Sequence, residues 1–136
     1  PANLRIRNQA MDMLHNLQRQ DQEWMWPALA SLDDAETEQI FDFIRHWIVI
    51  LRDLGLQCLR CPTVTAFNDD LRTELAQMSE SWDILRIDAA IKIAEETRRN
   101  LQRNANARLM LEALFIRSFD LYWGGKIHAD HRGSPV

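Results

Sequence analysis

Apolar residues recur every three or four positions along almost the whole chain, and nowhere do they alternate strictly. That period is helical. Ile6, Ala10, Met13, Leu14 and Leu17 predict a first helix from about residue 3 to 18. Trp24-Met25-Trp26-Pro27 then marks a short helix or loop, because Pro27 suits a first turn or a break. Asp33, Asp34, Glu36 and Glu38 place negative charge where a helix N-terminus favours it. Ile40, Ile44, Trp47, Ile48 and Leu51 follow as one stripe, with Gly55 as the expected C′ stop. Residues 56–67 are the least helical, with Pro62 and Thr63-Val64-Thr65 suggesting an extended connection. Asn68 is the expected cap of a short helix through about Met78, and Ser81 the cap of the next. There Ile84, Ile87, Ile91, Ala94, Arg98 and Leu101 keep helical spacing to about Arg103. The last helix is expected from about Ala107 to Trp123, closed by Gly124-Gly125. The pattern predicts an all-α bundle of about five main helices over residues 1–125, followed by a flexible polar tail over 126–136.

The junction "RRNLQRNANARLMLEALFIRSF" is the most informative stretch. Asn tolerates the left-handed conformation that ends many helices, so Asn104 suits a C′ position. Asn is also a good N-cap, so Asn106 suits the start of the next helix. The pair predicts a tight corner between antiparallel helices. The helix after it is apolar nearly all round, as a helix surrounded by others is. It is therefore expected at the centre of the bundle, or with a second face that meets another protein.

Composition narrows the function. The chain has 136 residues, which fits one domain large enough to need no metal or disulfide staple. A net charge of −4 argues against nonspecific nucleic-acid binding. No apolar run reaches the length of a membrane span, and no hydrophobic region follows the charges at the start, so no signal peptide is read. Two Cys without an export signal read as reduced cytoplasmic thiols.

Candidate chemistry is sparse. No G-x-x-x-x-G-K-[ST] loop is present, so neither ATP binding nor ATPase activity is expected of this chain. Cys58-Leu59-Arg60-Cys61 and His128-Ala129-Asp130-His131 together have the donors of a zinc site. The pairs lie much further apart than in zinc fingers, and a redox C-x-x-C needs a βαβ setting, so the thiols are expected to be structural or exposed. His15 and His46 have no partner in motif spacing and read as surface or edge residues. Asp69/Asp70 and Glu95/Glu96 are adjacent pairs that point in different directions on a helix, hence solvated faces rather than acid/base dyads. Glu112, alone in an apolar helix, is expected to pair with Arg108 or with an arginine of another helix. No catalytic, cofactor-binding or metal-binding residues are assigned. Trp47 and Trp82 are expected in the core. Trp24, Trp26 and Trp123, near helix ends, are candidate interface anchors.

Several of these segments resemble the C-terminal region of bacterial DNA polymerase III clamp-loader subunits. That family has a basic-rich helix, Asn-x-Asn, two residues, then Leu-x-Leu-Glu and a Leu-rich run. Asn104, Asn106, Leu109, Leu111, Glu112, Leu114, Phe115 and Ile116 occupy the matching positions. Upstream, "HWIVILRDLGLQ" is similar to the family's Trp followed by Arg-Asp-Leu, here Trp47, Arg52, Asp53 and Leu54. The Asn68-Asp69-Asp70 helix start and the first helix also resemble the family. The likeness covers most of residues 3–123, nearest to the delta prime subunit and then to gamma/tau. The tail beyond Gly125 and the Cys58/Cys61 segment have no counterpart, and Phe115 and Phe119 replace aliphatic positions.

The resemblance implies a non-catalytic helical domain that packs with other clamp-loader subunits into a collar supporting sliding-clamp loading in DNA replication. It also implies ATPase-type modules ahead of Pro1. It implies no direct ATP contact, no tight DNA binding and no membrane. The candidate subunit interface, Trp24, Trp26, Phe115, Phe119 and Trp123, is read from these residues themselves and is not carried over from the family. The rival reading is a stand-alone helical adaptor unrelated to replication, whose gene begins at or near Pro1.

Overall fold

The computed structural model describes residues 2–60, 69–103 and 106–132, with side chains omitted at 2–3, 69 and 125–132. Among the described residues there are six α-helices, two short 3-10 turns and no strand. The helices are α1 (Ala2–Leu17), α2 (Met25–Leu32), α3 (Thr37–Leu59), α4 (Arg72–Met78), α5 (Ile84–Gln102) and α6 (Ala107–Arg132). The 3-10 turns, Asp69–Leu71 and Ser79–Ser81, bracket α4. The all-α expectation holds.

The centre of the bundle is α3, not the expected α6. Its Phe43, Ile44, Trp47, Ile50, Leu51 and Leu54 are fully shielded, and α1, α4 and α5 pack around it. The last helix lies against α5, α2 and α1 and keeps an outer face in solvent. An aromatic cluster joins the two layers. Phe115 of α6 sits 5.7 Å from Trp24, 6.1 Å from Phe43 and 5.7 Å from Trp47, ring centre to ring centre. Such tilted and edge-on pairs add to the burial of large rings.

Helix ends follow local chemistry, with three corrections. The acidic approach to α3 works as expected: Glu36 is its N-cap, and its backbone N–H donates to Gln39 Oε1 at 3.0 Å. Pro27 lies in the first turn of α2, where a missing N–H costs no helical bond. Gly55, however, does not stop α3. It is buried, and the helix runs four residues further, to Leu59. Packing against α5 outweighs the ~1 kcal/mol helix penalty of glycine. Arg60 takes the left-handed position instead, at φ 52°. Ser81 does not cap α5; Asp83 does, its Oδ1 accepting from the Arg86 N–H at 2.9 Å. Nor do Gly124-Gly125 close α6, which is helical to Arg132, so a helical backbone replaces much of the expected tail.

Asn106 does cap α6: its Oδ1 accepts from the Leu109 N–H at 3.1 Å. Asn104 and Asn68 lie outside the described residues. Asn106→Ala should lower stability by ~1 kcal/mol, seen as an earlier midpoint in urea with an unchanged slope. A change below a few tenths would mean that the corner is held by packing alone.

Candidate interaction surface

The first and last helices are tied by a long-range bond. Leu17 ends α1, where backbone carbonyls lack helical partners, and the Trp123 indole N–H donates to the Leu17 carbonyl at 2.8 Å. Arg7, mostly buried, forks onto Asp70 at 2.9 and 2.8 Å and so joins α1 to the turn before α4. His15 does have a partner, Glu74 of α4, at 2.9 Å. His46 is half-buried. Burial, and then neighbouring Arg45, lower its pKa, so the ring favours its neutral form at neutral pH.

Arg86 is a residue whose role the sequence does not show. Its guanidinium donates to Asp83 at 2.7 Å, to the Ser81 carbonyl at 2.7 Å and to the Tyr122 carbonyl at 2.9 Å. It also lies 5.8 Å from the Trp82 ring centre and 5.3 Å from that of Tyr122. One planar cation thereby locks the start of α5 to the 3-10 turn and to α6. Burial pushes the Asp83 carboxyl up, but the hydrogen bonds and charge of Arg86 outweigh it and hold Asp83 below the usual carboxylate range. Beside this corner, Cys58 is half-buried, its Sγ 3.7 Å from the Ser79 and Trp82 carbonyls. Burial, then Asp83, raises its pKa and leaves it a weak nucleophile. Cys61 lies outside the described residues, as do the side chains of His128 and His131, so the described geometry does not bear on a four-donor site.

The motif residues divide by role. Trp47 and Leu111 are core, and Asp53 is completely shielded within α3. Arg52 is exposed and approaches Glu95 at 3.7 Å. Glu95 is also held by Arg98, and Glu96 pairs with Arg117 across α5 and α6. The expected Glu112–Arg108 pair is not formed: Arg108 turns to Asp33 at the end of α2. Among the described residues no ion pair forms at Glu112.

The five expected interface aromatics separate in the same way. Trp24, Phe115 and Phe119 are buried in this chain's own core and are not available to a partner without unpacking it. Trp123 is half-buried and its N–H is used. Trp26 alone of the five stands out, 62% exposed. It lies on an outer face of α2 with Pro27 and Ala30, and α2 contains no charged residue. On neighbouring α6, Leu109 and Ile116 also face solvent, with Ala113 half-buried between them. The last helix thus carries an exposed apolar strip.

A second apolar surface is a broad, open depression. The C-terminal half of α3 and the N-terminal half of α5 leave a groove of about 420 Å³ lined by Gly55, Leu56, Leu59, Ile84, Ile87 and Ile91, among others. Leu59 and Ile84 are exposed at its edge. Reading Gly55 as a helix stop hides this groove in the sequence. Its signal is a glycine inside an aliphatic stripe, facing the Ile84, Ile87 and Ile91 row.

Taken together, the fold is a helical packing domain whose polar chemistry is largely spent on joining its own elements. Residues 1–118 match the family described as DNA polymerase III, delta subunit, C terminal. The chain belongs to that family, and its clamp-loader setting follows from the membership. Comparison with curated proteins and with solved structures gives no match. Among the described residues no helix is long and apolar enough to cross a membrane.

Proposed function

We propose that this chain is a non-catalytic oligomerisation domain of a bacterial replicative clamp loader, of the delta prime type. It acts in the cytoplasm by packing with other loader subunits into a collar, without binding ATP or holding duplex DNA tightly by itself. The family match over residues 1–118, to the C-terminal part of a DNA polymerase III delta subunit, carries the clamp-loader part of this reading; the delta prime type rests on the resemblance of the Asn104–Ile116 and Trp47–Leu54 segments. The Trp26 face, the Leu109–Ile116 strip and the α3–α5 groove support it, since apolar area left outside a closed core is what subunit packing uses.

The test is assembly. The tagged chain, co-expressed with loader subunits of the same organism, should co-purify with them and should compete with the full-length delta prime subunit for incorporation. A chain that does neither would be a helical adaptor with another partner. Delta prime and gamma/tau are separated by which full-length subunit it displaces.

A further inference from the structure

The outer stripe of α6 combines apolar side chains with unused charge. Leu109, Glu112, Ala113, Ile116 and Asp120 follow one another at three- and four-residue steps, so they share one face of the helix. Leu109, Ile116 and Asp120 are exposed, and Glu112 and Ala113 are half-buried. The stripe spans about 16 Å, or three turns. On one flank α2 runs antiparallel to α6: Asp33, just past its end, pairs with Arg108, and Trp24, just before its start, packs on Phe115. That arrangement brings the exposed Trp26 beside the stripe.

The chain does not use the carboxylates of this stripe. The arginines one turn before them, Arg108 and Arg117, are committed to Asp33 and, at 3.2 Å, to Glu96. Among the described residues neither Glu112 nor Asp120 makes an ion pair or a side-chain hydrogen bond. An apolar stripe with free negative charge repels phosphate backbones and anionic membrane surfaces. It suits a cationic protein surface, since complementary charge steers and orients such contacts.

The backbone sets the partner's form. Both α2 and α6 are helical throughout, so they offer no free strand edge to an extended peptide. Two exposed aliphatic side chains seven residues apart, with a small residue between them, match the repeat on which a second helix packs. The carboxylates then stand where charged residues flank such a seam.

We infer that the outer stripe of α6 docks a basic amphipathic helix of another clamp-loader subunit. That helix sets aliphatic side chains on Leu109 and Ile116, and lysine or arginine on Glu112 and Asp120. Trp26 closes the α2 side of the contact. The inference rests on the clamp-loader reading and narrows its partner to a subunit that carries such a helix.

The test titrates the full chain against each purified loader subunit of the same organism, with binding read by biolayer interferometry. Glu112→Lys with Asp120→Lys should weaken the wild-type contact about tenfold or more, because like charges then face each other. Leu109→Gln with Ile116→Gln removes the apolar contact at unchanged charge and should weaken it by a similar factor. These positions are solvent-facing or half-buried, so unchanged helical circular dichroism is expected. Glu38→Lys with Glu80→Lys makes the same change of net charge at exposed positions on α3 and the 3-10 turn, and should shift affinity less than about twofold. Binding that survives either α6 change, or that falls equally with both charge reversals, overturns the inference and leaves the proposed function standing. A wild-type chain that binds no loader subunit overturns the proposed function, and this contact with it.

Discussion

Phe115→Ala should cost about 3–5 kcal/mol of stability, in line with aromatic truncations in close-packed cores. Phe115 is fully buried and packs on three aromatic rings, from the residue that precedes α2 and from α3, so its loss opens a void where two layers meet. Domains of this kind are stable by only about 5–15 kcal/mol, and a large fraction of that would go. Phe115→Leu should lose distinctly less, since most of the volume is kept. Chemical denaturation followed by tryptophan fluorescence checks both. A loss under 1 kcal/mol for the alanine variant would show that α2 or α6 repacks freely, and would reopen Phe115 as an interface residue.

The second large effect belongs to Arg86. Arg86→Ala removes three charge-assisted hydrogen bonds and the packing of a mostly buried guanidinium on two rings. Hydrogen bonds to charged groups contribute about 1.5–3 kcal/mol each in net terms, and shared networks are not additive, so a loss of about 3 kcal/mol is expected. Arg86→Lys should recover less than half, because an ammonium is not a planar fork and reaches the two carbonyls and Asp83 less well. Thermal melts of the two variants distinguish a geometric role from a charge role: full rescue by lysine would mean that only the charge matters.

The periodic part of the sequence predicts the fold well, for a physical reason. In α1 and α3 the apolar stripe is the buried face, so Ile6, Ala10, Met13, Leu14 and Leu17, and Ile40, Ile44, Trp47, Ile48 and Leu51, are all core. Helix ends are less legible. A glycine signals a stop only where nothing packs on it, and Gly55 lies under α5. Ser81 and Asp83 are both competent caps two residues apart, and the 3-10 turn takes Ser81. Hydrophobicity also does not say which apolar side chains are used within the chain. Leu111 and Leu109 have the same chemistry, but one is buried in the core and the other is 57% exposed. The interface surfaces are thus set by tertiary placement. So is Arg86, whose partners at 81, 83 and 122 come together only after folding.

The aromatic cluster has a consequence for synthesis. Trp24, Phe43 and Trp47 leave the ribosome long before Phe115, the ring that joins them. At roughly 5–20 residues per second, these rings remain without their partner for on the order of several seconds. Leu17 likewise waits for Trp123, about a hundred residues later. A nascent chain of α1 to α3 therefore presents an open aromatic surface to the tunnel exit, where chaperones bind and where neighbouring nascent chains on a polysome can pair wrongly. Slowing translation between α3 and α6 should favour aggregation of this protein more than of a bundle whose core closes in chain order.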